Sequence, residues 1–530
     1  MGLRRASALV LSIFLAGLIG NDRAVTRPAY WPRPDLDAII LAAGNGRQVQ
    51  ARLTGRFPYA PWDTDRAAAP AAGTRVLSAA FHLMSADAQL TDPAVQAALG
   101  TTFLLSGRTD DAVVQLERAI TAPTLQPAWL SDLAAAYLTR GDRDRRFADY
   151  VAAVAMSQRA LTREPSMAEA YFNLALALQR MALPQAADAW VTYLAHDPRS
   201  GFASEARANR SRISRTRAPI VTDRANLDAA EFTPYFAWAD TAATMHPSGL
   251  PGKSAAAPPR DRLHERIAED LARVSSHLRE RAAVAHGLRW LRDGYRSAAR
   301  DAMSEARAQF AQAVQLLQPY SRALASVATF HLAVAEYYAG DHEEVLRRLT
   351  VLERTARDDG FLVVRARSLR VIGLLHATAG RFDQALRAYE TALESAGQAD
   401  ARAQVVSLHH LIAEVFTYLG QTADGWDSRG RALASLADVP DPAQRRSILG
   451  SAALAALDDG YPEAAGFLQR GVAAEARTSG KPIDLAESEI LHARVARALG
   501  NAADSGASLR IARNIAARID DLPMRSRVEA

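Results

Sequence analysis

The amino-acid sequence predicts an all-α solenoid of helical hairpins stacked in two arrays. Three observations predict it. Gly340, Gly380, Gly420, Gly460 and Gly500 recur every forty residues, each within a run that otherwise favours helix. Seven residues before each glycine stands a small residue (Ala333, Gly373, Ala413, Ala453, Ala493), and twelve after it Leu352, Ala392, Ala432, Val472 or Ala512. The chain is 49% hydrophobic but only 7% aromatic, and alanine dominates, a composition suited to closely packed helices rather than sheets.

The stretch LLHATAGRFDQALRAYETAL, residues 374–393, shows the logic of one unit. Helix formers flank Gly380 on both sides, so a stop there requires a residue tolerant of positive φ. Small residues seven before and twelve after let the two helices of a hairpin approach closely. Proline begins or separates helices at the Pro440-Asp441-Pro442 turn and at Pro462.

The unit matches the tetratricopeptide repeat (TPR), normally about 34 residues long, here with a few extra residues between units. The first half carries it less regularly. Leu99, Gly100, Phe103, Gly107, Ala112, Leu116 and Ala119 fill the consensus positions in order. A second unit has Leu133, Ala134, Tyr137, Ala153, Ala160 and Pro165, with about seven extra residues expected between its helices. A third runs from Ala168 to Pro198 through Leu174, Ala175 and Trp190.

Five segments follow from this reading. Residues 1–20 form a signal segment or anchor: MGLRR is cationic, and Ala6 to Gly20 is uncharged, long enough for a signal core and short for a membrane span. Export to the periplasm or cell envelope is expected, or anchoring by this segment, which is then the only membrane contact. Residues 21–74 form an irregular cap, with a short helix at Asp35–Ala43 and a strand-like alternation in RQVQARL, Arg47 to Leu53. The first array spans 75–207, a Pro-rich linker spans 208–260 with one helix in LDAAEFTPYFAWADTAA, and the second array spans 261–530.

The segments RQVQARLTGRFPYAPW, LSDLAAAYLTRGDRDRRFADYVAAVAMSQRAL and AEAYFNLALALQRMALPQAADAWVTYLAHDP resemble the N-terminal TPR region of bacterial CHAT-domain proteins. Those proteins carry a caspase-like peptidase at the C-terminus. LIAEVFTYLGQTADGWDSRGRAL and DPAQRRSILGSAALAALDDGYPEAAGFL continue the resemblance, which covers roughly residues 45–530. It implies a recognition region associated with a peptidase. The family's peptidase uses a His/Cys pair, however, and this chain has no cysteine. Either it is the recognition half alone, or it is a fragment of a larger peptidase whose catalytic domain is missing here.

Composition excludes several functions. Without cysteine there are no disulfides, thiolate zinc sites or cysteine nucleophiles. The net charge is +5, and arginines scatter among acids instead of forming a stripe, which argues against nucleic acid. No phosphate loop, dinucleotide fingerprint, nucleophile elbow or HExxH occurs in a supporting context, so neither enzyme activity nor a cofactor is expected. His410 and Glu414 stand one helical turn apart, but no third metal ligand accompanies them, and an ordinary surface pair explains them. Asp110-Asp111 and Asp458-Asp459 fall at hairpin turns, where capping and first-turn roles suffice.

Function is therefore sought on the concave face, where such arrays expose fixed positions of each first helix. Projected onto the repeat, those positions hold Phe330, Tyr337 and Tyr338; Arg367 and Arg370; His410, Glu414 and Tyr418; and Arg494 and Arg497. Arg and Tyr carry binding energy at interfaces, and Arg367 with Arg370 is expected to grip a carboxylate. The expected partner is a protein or peptide, acidic peptides included. A structural role in cell-envelope assembly is the alternative, and it calls for an aromatic, uncharged groove.

Overall fold

The computed structural model describes residues 47–55, 57–62, 91–214, 229–242 and 260–518. The signal segment, the helix expected at Asp35–Ala43 and the C-terminal residues from 519 lie outside the described residues. Those described hold twenty-one α-helices and no strand.

Three hairpins make the first array: α1 (Pro93–Leu105) with α2 (Thr109–Ile120), α3 (Pro127–Asp144) with α4 (Phe147–Arg163), and α5 (Ala168–Arg180) with α6 (Ala186–His196). Helix α7 (Gly201–Ser214) packs on α6 and runs across the boundary expected at residue 207. Next come α8 (Thr233–Ala242) and α9 (Leu263–Ser275). Among the described residues six further hairpins follow: α10 (Leu278–Ala299) and α11 (Met303–Leu317), α12 (Arg322–Tyr338) and α13 (His342–Asp359), α14 (Leu362–Thr378) and α15 (Phe382–Gln398), α16 (Arg402–Tyr418) and α17 (Thr422–Ala434), α18 (Pro442–Asp458) and α19 (Pro462–Ser479), α20 (Pro482–Ala498) and α21 (Ala502–Ala516).

The register glycines do what their spacing requires. Gly340, Gly380, Gly420, Gly460 and Gly500 have φ between 70° and 86° and separate the two helices of each hairpin. Past Gly380, the Arg381 amide donates back to the His376 carbonyl at 2.8 Å, closing the helix end as a Schellman turn. The small residues are equally constrained. A Cβ on Gly373 would lie 2.4 Å from the Tyr389 ring of the paired helix, and Ala333, Ala413 and Ala453 are fully buried.

The second unit departs from expectation. Its extra residues do not form a loop. Helix α3 continues through Gly141 to Asp144, and only Arg145 and Arg146 separate it from α4, with Arg145 taking the left-handed turn at φ 58°. Tyr150 packs on Gly141, 2.7 Å from where a Cβ would stand, so a larger residue there would push it away.

The two arrays are not beads on a tether. Helix α4 packs on α17 and α19, and one hydrophobic core runs through both arrays. Phe147 stacks on Trp426 with centroids 6.0 Å apart, and Arg159 binds Glu463 at 2.7 Å and the Gly460 carbonyl at 3.0 Å. Within the expected linker, α8 is a buried element: Phe232, Tyr235, Phe236 and Trp238 join the core of α9 to α14. Helix α9 buries Leu263, Ile267, Leu271 and Val274, the spacing of one helical face.

Candidate functional site

The first array holds a piece of its own chain in its groove. In residues 47–54, Val49, Ala51 and Leu53 are buried while Gln50, Arg52 and Thr54 between them are partly exposed, the alternation of an extended chain. Among the described residues no neighbouring strand completes it. Side chains take the place of a ladder. Asn173 on α5 accepts the Arg52 amide at 2.8 Å and donates to the Arg52 carbonyl at 2.9 Å. Asp132 on α3 accepts the Thr54 amide and the Thr54 hydroxyl, each at 2.8 Å. Asp132 and Asn173 each precede the consensus leucine of their unit, Leu133 and Leu174, so they occupy the same position in adjacent repeats. Two repeats therefore grip the backbone two residues apart.

The charged side chains of the segment are held as specifically. Arg52 reaches the Tyr193 hydroxyl at 2.9 Å and the Asp197 carboxylate at 2.5 Å, with Glu169 at 3.5 Å. Arg47 meets Glu205 at 2.5 Å, and Gln50 accepts from Arg180 at 2.7 Å. Both guanidinium carbons lie 4.7 Å from the centroid of Phe202. Burial pushes the Asp132 carboxyl up to about 6, although the bonds from Thr54 pull the other way. At Asp197 burial also acts upward, but the bonds from Ser200 and Arg52 outweigh it and hold the carboxyl at about 2.

In the second array, the positions projected onto the concave face divide into covered and open stretches. Phe330 is 5% exposed, inside the core that α8 and α9 share with the first hairpins, so its placement on an accessible groove is corrected. Arg367 already holds a carboxylate of its own chain. Its Nη2 lies 3.2 Å from Glu231 Oε2, and the other oxygen of Glu231 meets His264 Nε2 at 2.8 Å. His264 Nδ1 in turn meets the Tyr235 hydroxyl at 2.8 Å. Burial tends to raise Glu231, but Arg367 and His264 outweigh it and hold the carboxyl below its ordinary range. Arg370 is half-buried beside it, so the two arginines do not present an open fork.

Tyr338 is exposed, with Tyr337 edge-on to it and stacked on His342. The more open positions are on α16 and α20. Glu414 and Tyr418 of α16 line a cavity of about 480 Å³ with Leu374 of α14, Phe382 and Tyr389 of α15, and Leu411. Tyr418 is 75% exposed and stacks on Phe382 at 5.8 Å. Glu414 accepts from Ser451 and, at 3.4 Å, from Arg429, while His410 contacts the Ser447 hydroxyl at 3.4 Å. Burial holds His410 below its ordinary pKa, Glu414 opposing and Arg429 adding to the effect. Arg494 and Arg497 are exposed on α20.

The chain is a helical-hairpin repeat protein of the TPR type. No family model matches it, and no curated protein matches it. Several solved structures superpose. BtubC from P. vanneervenii shares 16% identity over 45% of this chain and 91% of its own, with a TM-score of 0.34. A Rap protein complexed with competence and sporulation factor shares 13% identity over 75% of this chain and 99% of its own, with a TM-score of 0.36. The APC/C hetero-tetramer Cut9-Hcn1 shares 13% over 88% and 90%, with a TM-score of 0.38. Scores below 0.5 carry no functional argument, and the assignment rests on the hairpins themselves.

Proposed function

We propose that the chain is a non-catalytic scaffold that binds a protein or peptide on its concave face. One observation carries this reading. Asp132 and Asn173, at one repeat position, hold the backbone of an extended segment, so the repeat is built to take peptide. In the second array the stretch available to a partner runs from the Tyr418 cavity to Arg494 and Arg497. An apolar side chain fits the cavity, and the two arginines suit a partner bearing carboxylates. The charged groups Glu414, Arg494 and Arg497 favour this over the aromatic, uncharged groove of an envelope-assembly protein.

Within this reading, the chain is the recognition portion related to CHAT-domain proteins, supported by the segments quoted above. It acts in or facing the cell envelope, supported by the cationic start and apolar stretch of residues 1–20. Mass spectrometry of protein purified from its own host tests the latter, and an intact Met1 on a soluble cytoplasmic species refutes export.

Peptide-display selection on the full chain tests the binding itself. Acidic peptides carrying one large apolar residue are expected to be enriched. A Y418A/R494A/R497A variant with unchanged circular dichroism is expected to bind them roughly tenfold more weakly. Equal enrichment on both proteins places the site elsewhere.

A further inference from the structure

Residues 47–55 are held as a ligand is held. Among the described residues, none of their amides or carbonyls joins a backbone–backbone hydrogen bond. Their backbone is gripped through the side chains of Asp132 and Asn173. Asn173 is fully buried and Asp132 is 5% exposed beneath the segment, and both spend their bonding atoms on its backbone although Asn173 also donates to Ser131. The groove therefore suits an occupant with an extended backbone. Its side-chain demands are also fixed: small or medium apolar residues at alternate positions, and two arginines five apart, both against Phe202. One arginine is met by Glu205 and the other by Asp197 and Glu169. Nothing in these demands depends on the occupant belonging to the same chain.

We infer that the groove of the first array is an exchangeable peptide site, filled in cis by residues 47–55. It takes in trans an extended basic peptide with arginines five apart and apolar residues alternating between them. The cis segment is then a built-in competitor, which sets the threshold a partner must exceed. Its tether gives it a high effective concentration, on the order of millimolar. The two grooves thus select opposite charges, basic peptide in the first array and acidic in the second. The inference rests on the reading that concave faces bind peptide, but it fails separately, since its residues are distinct from Tyr418, Arg494 and Arg497.

The test uses the full chain and a fluorescein-labelled peptide of sequence RQVQARLTG, followed by anisotropy. The wild-type chain is expected to bind it weakly, because the cis segment competes. An R47A/R52A chain, whose own segment is weakened while the groove is intact, is expected to bind at least tenfold more tightly. Adding N173A to that chain should remove the gain, and a probe with both arginines replaced by alanine should bind at least tenfold more weakly. A scrambled probe binding as well as the ordered one overturns the proposal, as does an R47A/R52A chain that melts normally but binds no better than wild type. Dimerisation of that chain with exclusion of the probe assigns the groove to a second copy, and also overturns it. If R47A/R52A fails to fold, hydrogen exchange on the wild-type chain decides. Excess unlabelled peptide should expose the amides of residues 49–54 while α5 keeps its protection. Unchanged protection at saturating peptide refutes exchange.

Discussion

Replacing Asp132 by asparagine tests whether the groove holds its segment at an electrostatic cost. The carboxylate is 5% exposed, and burial pushes its pKa up to about 6 from the ordinary 3.8. The folded state therefore binds the proton more tightly than the unfolded chain. Stability from the neutral form is fully present below about pH 4 and is lost as the pH rises through about 6. A gap of about two pKa units corresponds to about 3 kcal/mol. Asparagine keeps an oxygen for the Thr54 amide and does not titrate, and the Thr54 hydroxyl can turn to accept from the new amide group. His409 titrates over the same range with the opposite sign, since burial lowers it to about 4. That contribution is common to both proteins and cancels in their difference. Urea unfolding at pH 4 and pH 7.5 measures that difference. The stability of D132N relative to wild type should rise by about 3 kcal/mol between the two. Parallel pH profiles would refute the reasoning, because they would mean that Asp132 is ionised in the fold without penalty.

Asn173→Ala strips the Arg52 amide and carbonyl of buried partners and should cost about 2–3 kcal/mol, with faster exchange of the Arg52 amide as the local signature. Gly373→Ala drives a methyl into the Tyr389 ring and should cost about 1–3 kcal/mol in urea unfolding, whereas an unchanged midpoint would mean the hairpin can open without strain. Glu231→Gln leaves Arg367 and His264 without their carboxylate and should cost about 3 kcal/mol at pH 7. Because the folded Glu231 pKa is depressed, wild type alone should lose this stabilisation as the pH falls below the ordinary 4.5 and through the lower folded pKa.

Much of this fold is legible in periodicity. Five glycines in register predict five αL turns because few other residues take positive φ at low cost. The small residue before each turn marks where two helices touch. Length between landmarks is less informative: the extra residues of the second unit read as lying between its helices, yet they extend α3 even though Gly141, Asp142 and Asp144 are poor helix formers. The alternation of RQVQARL is visible as strand-like, but its partners are not, because Asp132 and Asn173 lie in other units. Their shared place before Leu133 and Leu174 is the signal that could have found them. The surroundings of Phe330 and Arg367 escape the sequence for a related reason. Projection onto an idealised repeat leaves the concave face empty, and only tertiary structure shows α8, α9 and Glu231 lying against it.

The junction of α4 with α17 and α19 bears on how the chain is made. Arg159 and Glu463 are 304 residues apart in sequence. At roughly 5–20 residues per second, a ribosome takes some 15–60 s to deliver the second partner after the first. Through that interval Phe147 and its neighbours on α4 have no Trp426 to pack against. The nascent first array thus carries an apolar face that neighbouring chains on the same message also carry, which places the need for a holding chaperone early in synthesis.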